Sequence, residues 1–553
     1  MTKKLRVAFR ADASQVMGTG HVRRCMALAQ ALEKFNATTV FVCRRHDAVS
    51  AHVLPLNYPC HWLTGAPAQE YLVEAPEAFK SVKAVDALDA SNEGTSPYAT
   101  WGLVPWQQDA DQTVAALQSA PPDWLVIDHY TWDARWHQHV IKTLGCKLMV
   151  IDDLADRQLD ADLLLNQNIH SDHAALYEKL LGGRRSKSQA LFGPRFALLS
   201  GRYATAPRYV FSPTVRSIGI FMGGTDPEDL SSQALLACRE VAQFKGDVVL
   251  VSSSVSPHHA QRQALAATWP QTQVLTDLPD LTQFFSQHDL QVGSGGGAAW
   301  ERCCIGAPTL ACSLAVNQDA VLLQLADAGA LELVDILAAV ALSHVMGEKV
   351  RSLIQDSVLR QTLSSQASSW VDGQGSSRVA ASMVLAVRAE LGLRRAALAD
   401  EQLLLGWSND RQTRLNAFDS DVIQKQAHAI WLRSKLNQLE DCVFLVAEAQ
   451  NGIPVGTIRF DHRSDDVKSC KKVWWVSYSI DSAFRGLGLG RLLVELGANF
   501  MEQSCLGVAT LKALVKFDNH ASAKIFASLG FSQTRAEHAG QTVYCFQKPL
   551  GLA

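Results

Sequence analysis

No apolar run in this chain approaches the ~20 residues that a membrane-crossing helix needs. The basic start, Met1-Thr2-Lys3-Lys4-Leu5, leads into an apolar stretch too short for a signal peptide. Charge of one sign is missing too. Lys plus Arg number 51 and Asp plus Glu 54, for a formal net charge of −3, so no basic excess invites nucleic acid or another polyanion. The 12 cysteines include no Cys-x-x-Cys pair and no zinc spacing, and the neighbours Cys303 and Cys304 cannot close an ordinary disulfide. The expectation is a cytoplasmic chain with reduced thiols, no metal and no membrane or nucleic-acid partner. Short internal repeats are absent as well. What is present is length and apolar content: 553 residues, 48% hydrophobic, enough for about three domains that each bury a core.

The stretch around which the chain is organised is Gly18-Thr19-Gly20-His21-Val22-Arg23-Arg24. It follows an apolar strand, Leu5 to Phe9, and opens a helix expected over Cys25 to Leu32. A strand, glycine turn and helix in succession bring backbone N–H groups up to a phosphate or sugar. The turn also carries an imidazole. Partial positive charge at a helix N-terminus disfavours imidazolium there, which suits His21 to accepting a proton as a general base. Asp12 is the nearby carboxylate expected to orient the ring.

Polar residues recur at the ends of apolar strands. Trp124 to Asp128 ends in Asp128-His129-Tyr130, Lys147 to Ile151 in Asp152-Asp153, and Leu163 to Leu165 in Asn166-Gln167-Asn168. In open α/β sheets ligands bind at that edge. Residues 66–112, polar and broken by prolines, read as an elaborated loop region. A second α/β unit starts near Arg216. Its strand Ser217 to Met222 leads into Gly223-Gly224-Thr225-Asp226, a turn that serves a ligand or simply caps the next helix through Asp226. Leu290 to Val292 leads into Gly293-Ser294-Gly295-Gly296-Gly297, a second phosphate cradle, with Glu301 placed for the hydroxyls of a ribose. Asn317 and Gln318 open the helix after the strand Pro308 to Cys312, and a last helix is expected to run to about Leu393. Beyond the join the pattern is α+β, with a hairpin at Asn451-Gly452, a long strand Val473 to Ile480, the turn Arg485-Gly486-Leu487-Gly488-Leu489-Gly490 and a helix from Asn519.

Taken together, Arg10-x-Asp12-x-Ser14, Gly18-x-Gly20-His21-x-x-Arg24-Cys25, Asp128-x-Tyr130, Ile151 to Ala155, Asn166-Gln167, Gly223-Gly224-x-Asp226 and Gly295 to Arg302 resemble one family over about residues 5–385. It is the UDP-2,4-diacetamido-2,4,6-trideoxy-β-L-altropyranose hydrolase family of pseudaminic acid biosynthesis. The resemblance implies two Rossmann-like domains of the GT-B type, UDP in the cleft, His21 as the base that activates water, and no metal. It further implies UDP-sugar contacts at Gly18, Gly20, Arg24, Tyr130, Gly224, Gly295, Gly296, Glu301, Asn317 and Gln318. The third unit resembles the GCN5-related N-acetyltransferases (GNAT) through Arg485-x-x-Gly488-x-Gly490, Asn519 and Leu529-Gly530-Phe531. This implies acetyl-CoA as co-substrate, held by Val476, Tyr478, Ile480, Arg485, Gly486, Gly488, Gly490, Arg491 and Asn519. Many such enzymes have a tyrosine where this chain has Phe526, so the proton for the leaving thiolate comes from another group (Tyr478 or Tyr544) or from water, or the domain is a weak catalyst; His428 and His462 are candidate bases.

The expected organisation is an N-terminal Rossmann-like domain over 1–205, a UDP-binding one over 206–393 and the acetyltransferase over 394–553. The expected function is consecutive: N-acetylation of a UDP-4-amino sugar, then hydrolysis of UDP from the diacetamido product. The alternatives are a GT-B glycosyltransferase with a UDP-amino-sugar donor, or a module that binds UDP-sugar or acetyl-CoA without turnover.

Overall fold

The computed structural model describes residues 4–53, 58–64, 98–181, 188–313, 316–334, 342–387, 391–449, 452–462, 472–504 and 509–550. The chain divides into two compact units, one ending at Ala380 and one beginning at Ala381.

The first unit holds two parallel sheets. In the first, β1 (Arg6–Ala11), β2 (Thr38–Arg44), β3 (Cys60–Leu63), β4 (Trp124–Asp128), β5 (Lys147–Ile151), β6 (Leu163–Asn166) and β7 (Gln189–Phe192) lie in the order β3-β2-β1-β4-β5-β6-β7. Every residue of β4 and β6 is buried, as a sheet covered by helices on both faces requires. In the second, β8 (Ser217–Phe221), β9 (Asp247–Ser252), β10 (Thr272–Thr276), β11 (Leu290–Ser294), β12 (Thr309–Cys312) and β13 (Glu332–Val334) lie in the order β10-β9-β8-β11-β12-β13. Strand order reverses between β1 and β4 and again between β8 and β11. A doubly wound sheet opens its ligand crevice at these switch points. The glycine turns follow β1, β8 and β11, so three of the four central strands lead into one.

The second unit is a mixed sheet of β14 (Leu391–Arg395), β15 (Cys442–Ala449), β16 (Ile453–His462), β17 (Lys472–Ile480), β18 (Ala509–Lys516), β19 (Ser532–His538) and β20 (Gln541–Leu550), ordered β14-β15-β16-β17-β18-β20-β19. Its central pair is parallel but incomplete. β17 and β18 pair from Lys472↔Ala509 to Trp475↔Lys512 and then part, although β17 stays on β16 to Ile480 and β18 stays on β20 to Lys516. The strands open like a V beside the helix Leu489–Ser504.

Three expectations need correction. The helix after the first glycine turn begins at Gly20, so His21 sits in its first turn. Of residues 66–112, the described part is not a loop: Ala99–Gly102 is a 3-10 turn and Trp106–Leu117 a helix. Its apolar face, with Ala110, Val114 and Leu117, packs into the core of the first sheet. Residues 65–97 and Asn451 lie outside the described residues. The helix expected to reach Leu393 ends at Val387, and Leu391–Arg395 is instead an edge strand antiparallel to β15.

Candidate functional site

The switch point between β1 and β4 sets an imidazole on a carboxylate. His21 is carried by the first turn of the helix after β1, and Asp128 is the last residue of β4. His21 Nδ1 lies 2.7 Å from Asp128 Oδ1. An ionised carboxylate only accepts, so Nδ1 carries the hydrogen, and in the neutral ring the lone pair is on Nε2. Among the described residues Nε2 has no hydrogen-bond partner. Asp128 is fully buried. Burial opposes its charge, but Arg24 and His21 outweigh burial and hold the carboxyl well below the usual carboxylate range. Arg24 grips Asp128 through Nε at 2.5 Å and Nη2 at 2.6 Å, and Asp153 through Nη1 at 2.6 Å. Asp153 in turn accepts from Tyr130 Oη at 2.7 Å and Asn168 Nδ2 at 2.9 Å.

Two expected roles change here. Asp12 does not orient His21. Its Oδ1 accepts from Arg10 Nη1 at 2.6 Å and from the backbone N–H of Arg44 at 2.7 Å, while His129 and His46 stand 3.3 and 3.4 Å from Oδ2. Burial disfavours its charge, but Arg10 prevails and keeps it ionised. Asp12 thus belongs to a buried network in which Arg10 and Arg44 also hold Asp109 of the helix Trp106–Leu117. The strand turns it away from the ring that lies near it in sequence, and the carboxylate that replaces it comes from 107 residues further on. Arg24, expected at the UDP-sugar, has its guanidinium occupied by Asp128 and Asp153. Both corrections were out of reach of local spacing, because they depend on which strand neighbours β1. The clue that existed was the Asp128-His129-Tyr130 ending of a buried strand.

The turn after β8 faces the turn after β1. A Cβ on Gly224 would come within 2.6 Å of Thr19 Oγ1, and one on Gly18 within 4.0 Å of Thr225 Oγ1, so glycine permits this approach. Asp226 does cap the next helix, accepting from the N–H groups of Leu230 and Ser231 at 2.9 Å each. After β11, Gly296 takes a positive φ of 67° and starts the helix Gly297–Ile305. Gly295 lies under Gln318, whose Oε1 would be 2.8 Å from a Cβ there; the Asn317 side chain is outside the described residues. Beneath this turn Arg302 is buried. One nitrogen donates to Ser294 O, while Nε and Nη1 have no partner among the described residues. An uncompensated cation under a helix N-terminus favours an anion above it. Gly20 and Gly297 border open space.

Glu301 lies in the same helix. Burial pushes its carboxyl up to about 7, against the pull of Arg23 and the Tyr203 hydroxyl beside it. The folded pKa exceeds the ordinary 4.5, so this group costs stability as pH rises from there through about 7. Glu301→Gln should therefore melt with wild type at pH 5 and several degrees above it at pH 8, a difference on the order of 2–3 kcal/mol. Equal melting temperatures at both pH values would place the carboxylate in water.

In the second unit the Arg485–Gly490 turn has positive φ at Gly486 (78°) and Gly488 (79°) and leads into the helix Leu489–Ser504. Arg491 is exposed in its first turn. Arg485 does not reach outward: Nε donates to Ile480 O at 2.9 Å, and Nη2 meets Asp410 Oδ2 at 2.6 Å and Thr413 Oγ1 at 2.9 Å. Val476, Tyr478 and Ile480 lie on β17 where it leaves β18. Tyr478 Oη is 2.9 Å from Ser522 Oγ, one turn into the helix that Asn519 caps. Phe526 is buried between Phe531, Phe546 and Tyr478. Tyr544 packs on Phe517 instead. His428 is buried with both ring nitrogens unpaired among the described residues, and His462 lies 3.2 Å from Asp441. Among the described residues no three His, Cys, Asp or Glu side chains cluster as metal ligands would, and no helix is long and apolar enough to cross a membrane.

The class of the second unit follows from this sheet and turn. Residues 390–532 match the acetyltransferase (GNAT) domain family, and they form such a domain. The first unit is two successive Rossmann-like domains, the organisation of the GT-B type. The chain is similar to the spore coat polysaccharide biosynthesis protein SpsG of Bacillus subtilis, 29% identical over 194 residues, which are 34% of this chain and 56% of that protein. The match spans about half the length of that relative. Among solved structures, MurG of Acinetobacter baumannii superposes with a TM-score of 0.44 at 14% identity, over 68% of this chain and 99% of that one. The protein yncA of Salmonella typhimurium, solved with its cofactor acetyl-CoA, gives 0.25 at 23% identity, over 30% of this chain and 96% of that one.

Proposed function

We propose that this chain carries out two consecutive steps on a UDP-linked amino sugar. Its GNAT domain acetylates the 4-amine of a UDP-4-amino-4,6-dideoxy sugar with acetyl-CoA, and its Rossmann-like pair then hydrolyses UDP from the diacetamido product, a step of pseudaminic acid biosynthesis. The observation that carries the hydrolase is the His21–Asp128 pair, set in the first turn of the helix that follows the Gly18–Gly20 turn, with Nε2 unpaired among the described residues. His21 Nε2 takes a proton from water as the oxygen attacks the anomeric carbon. The bond from that carbon to the phosphate oxygen breaks, and UDP leaves as an anion. A phosphate leaving group with a second pKa of about 6 needs no acid to protonate it, so one base suffices where ordinary glycosidases use two carboxylates. The turn Gly295–Gly297, with Arg302 beneath it, receives the diphosphate, and Glu301 the ribose.

In the acetyl transfer the amine attacks the thioester carbonyl, and the opening between β17 and β18 supplies unpaired backbone groups for acetyl-CoA. The turn 485–490 takes its pyrophosphate. Phe526 has no proton to give. Tyr478, held by Ser522, takes that place for the departing thiolate. Arg485 acts by bracing the turn, so Arg485→Ala should raise the KM for acetyl-CoA about tenfold with a smaller change in kcat. An unchanged KM would free the turn from its brace.

The deciding experiment supplies purified protein with UDP-4-amino-4,6-dideoxy-N-acetylaltrosamine and acetyl-CoA and follows products by mass spectrometry. UDP, CoA and free diacetamido sugar are expected. Sugar transferred to an added acceptor, with none released to water, would favour a glycosyltransferase. Unchanged substrates would leave two binding modules.

A further inference from the structure

A wall of aromatic rings stands beside His21, and two of its members, Tyr98 and Trp101, are only part-buried. Trp101 lies on the short turn Ala99–Gly102. Its ring stacks on Tyr130 at 5.7 Å and 22°, meets Tyr98 at 4.8 Å, and presents an edge to the His21 imidazole at 6.2 Å and 79°. Tyr130 itself is 4.6 Å from the imidazole and buried, with its hydroxyl on Asp153. Tyr98 and Trp101 are only part-buried, and neither is in the hydrophobic cluster of the first sheet, where Trp132 and Trp136 are. The turn is nonetheless fixed in place. Tyr98 O accepts from Thr131 Oγ1 at 2.7 Å. Gly102 lies so close to Trp132 that a Cβ would come within 2.4 Å of that ring, which pins the turn to the residues following β4. A part-exposed tryptophan held rigidly beside a catalytic imidazole offers a flat apolar surface, at low entropic cost, to whatever occupies the site.

Resting on the function proposed above, we propose that Trp101 is the specificity-determining residue of the hydrolase site. Its ring packs against the apolar edge of the sugar, the C-6 methyl and an acetamido methyl, and so sets the anomeric carbon over the water on His21 Nε2. A sugar with a hydroxymethyl group at that edge would have to strip water from a hydroxyl against an indole face that gives nothing back. The site therefore favours 6-deoxy diacetamido sugars over their hydroxylated relatives. This preference is added by a turn lying between the strands of the sheet, not by the turns that hold the nucleotide.

Calorimetric binding in a His21→Gln background, where turnover is slowed by orders of magnitude, tests this with three ligands: a UDP-2,4-diacetamido-2,4,6-trideoxyhexose, UDP-N-acetylglucosamine and UDP. Trp101→Ala should weaken the first at least tenfold, the second less than threefold and UDP not at all, while Trp101→Phe keeps the first within about threefold. Unchanged UDP binding shows that the variant is folded. Equal losses for both sugars, or no loss for the first, would overturn the assignment. Protein that binds UDP and neither sugar would overturn the proposed function and the wall together. The expected binding pattern without any UDP release by wild type would overturn the hydrolase alone.

Discussion

Replacing His21 by alanine should lower the rate of UDP release by 10²–10⁴-fold, the span that a positioned base contributes. Acetyl transfer should continue at the wild-type rate, so the acetylated nucleotide sugar accumulates. Nδ1 is bonded to a carboxylate that can only accept, which leaves the Nε2 lone pair as the basic atom, and that atom faces no partner among the described residues. Among the described residues no other histidine is set this way at the switch point. His129, the next residue after Asp128, is turned to the Asp12 network. Because the acetyltransferase belongs to the other compact unit, UDP binding by the variant is measured alongside and separates a misfolded first unit from a chemically disabled one.

Asp128→Asn should have a double effect. An amide can present either its oxygen or its NH2 to Nδ1, so the ring is no longer held in one tautomer, and hydrolysis should fall by about 10²–10⁴-fold with little change in KM. Stability should fall as well, by about 3–5 kcal/mol, because Arg24 would keep its charge in a part-buried site after losing one of its two carboxylates. The sign with pH follows from the direction of the shift. A carboxylate whose folded pKa is depressed gives its stabilisation above its ordinary pKa and loses it as pH falls through the folded value. The gap in stability between wild type and Asp128→Asn should thus be full at pH 7 and narrow only below about pH 4. Urea unfolding at pH 7 and at pH 3 measures the full gap and the start of its narrowing. A variant as stable as wild type at pH 7 would mean that the Arg24–Asp128 contact is solvated and carries no weight.

The sequence made the strands and the glycine turns legible because both signals are local. Trp124–Asp128 and Lys147–Ile151 are continuous apolar runs closed by polar residues, and their bounds match the structure. The imidazole at the helix start after β1 was legible for the same reason. Its orienting carboxylate was not, since the pairing of β1 with β4 brings together residues more than a hundred positions apart. Edge strands were lost for a different reason. Ser532–His538 is polar and mostly exposed, so no alternation marks it, and Leu391–Arg395 has helix-forming composition that pairing with β15 overrides. The helix Trp106–Leu117 was hidden by the polar residues before it, and its buried Asp109 is tolerable because Arg10, Arg44 and the Trp136 indole N–H all donate to it.

The most direct test of the account is hydrolysis in water enriched in oxygen-18. Attack by His21-activated water at the anomeric carbon breaks the carbon–oxygen bond, so every oxygen of the released UDP should be unlabelled and the label should appear in the sugar hydroxyl. Oxygen-18 in the terminal phosphate of UDP would mean attack at phosphorus, and His21 could not hold the role given to it here.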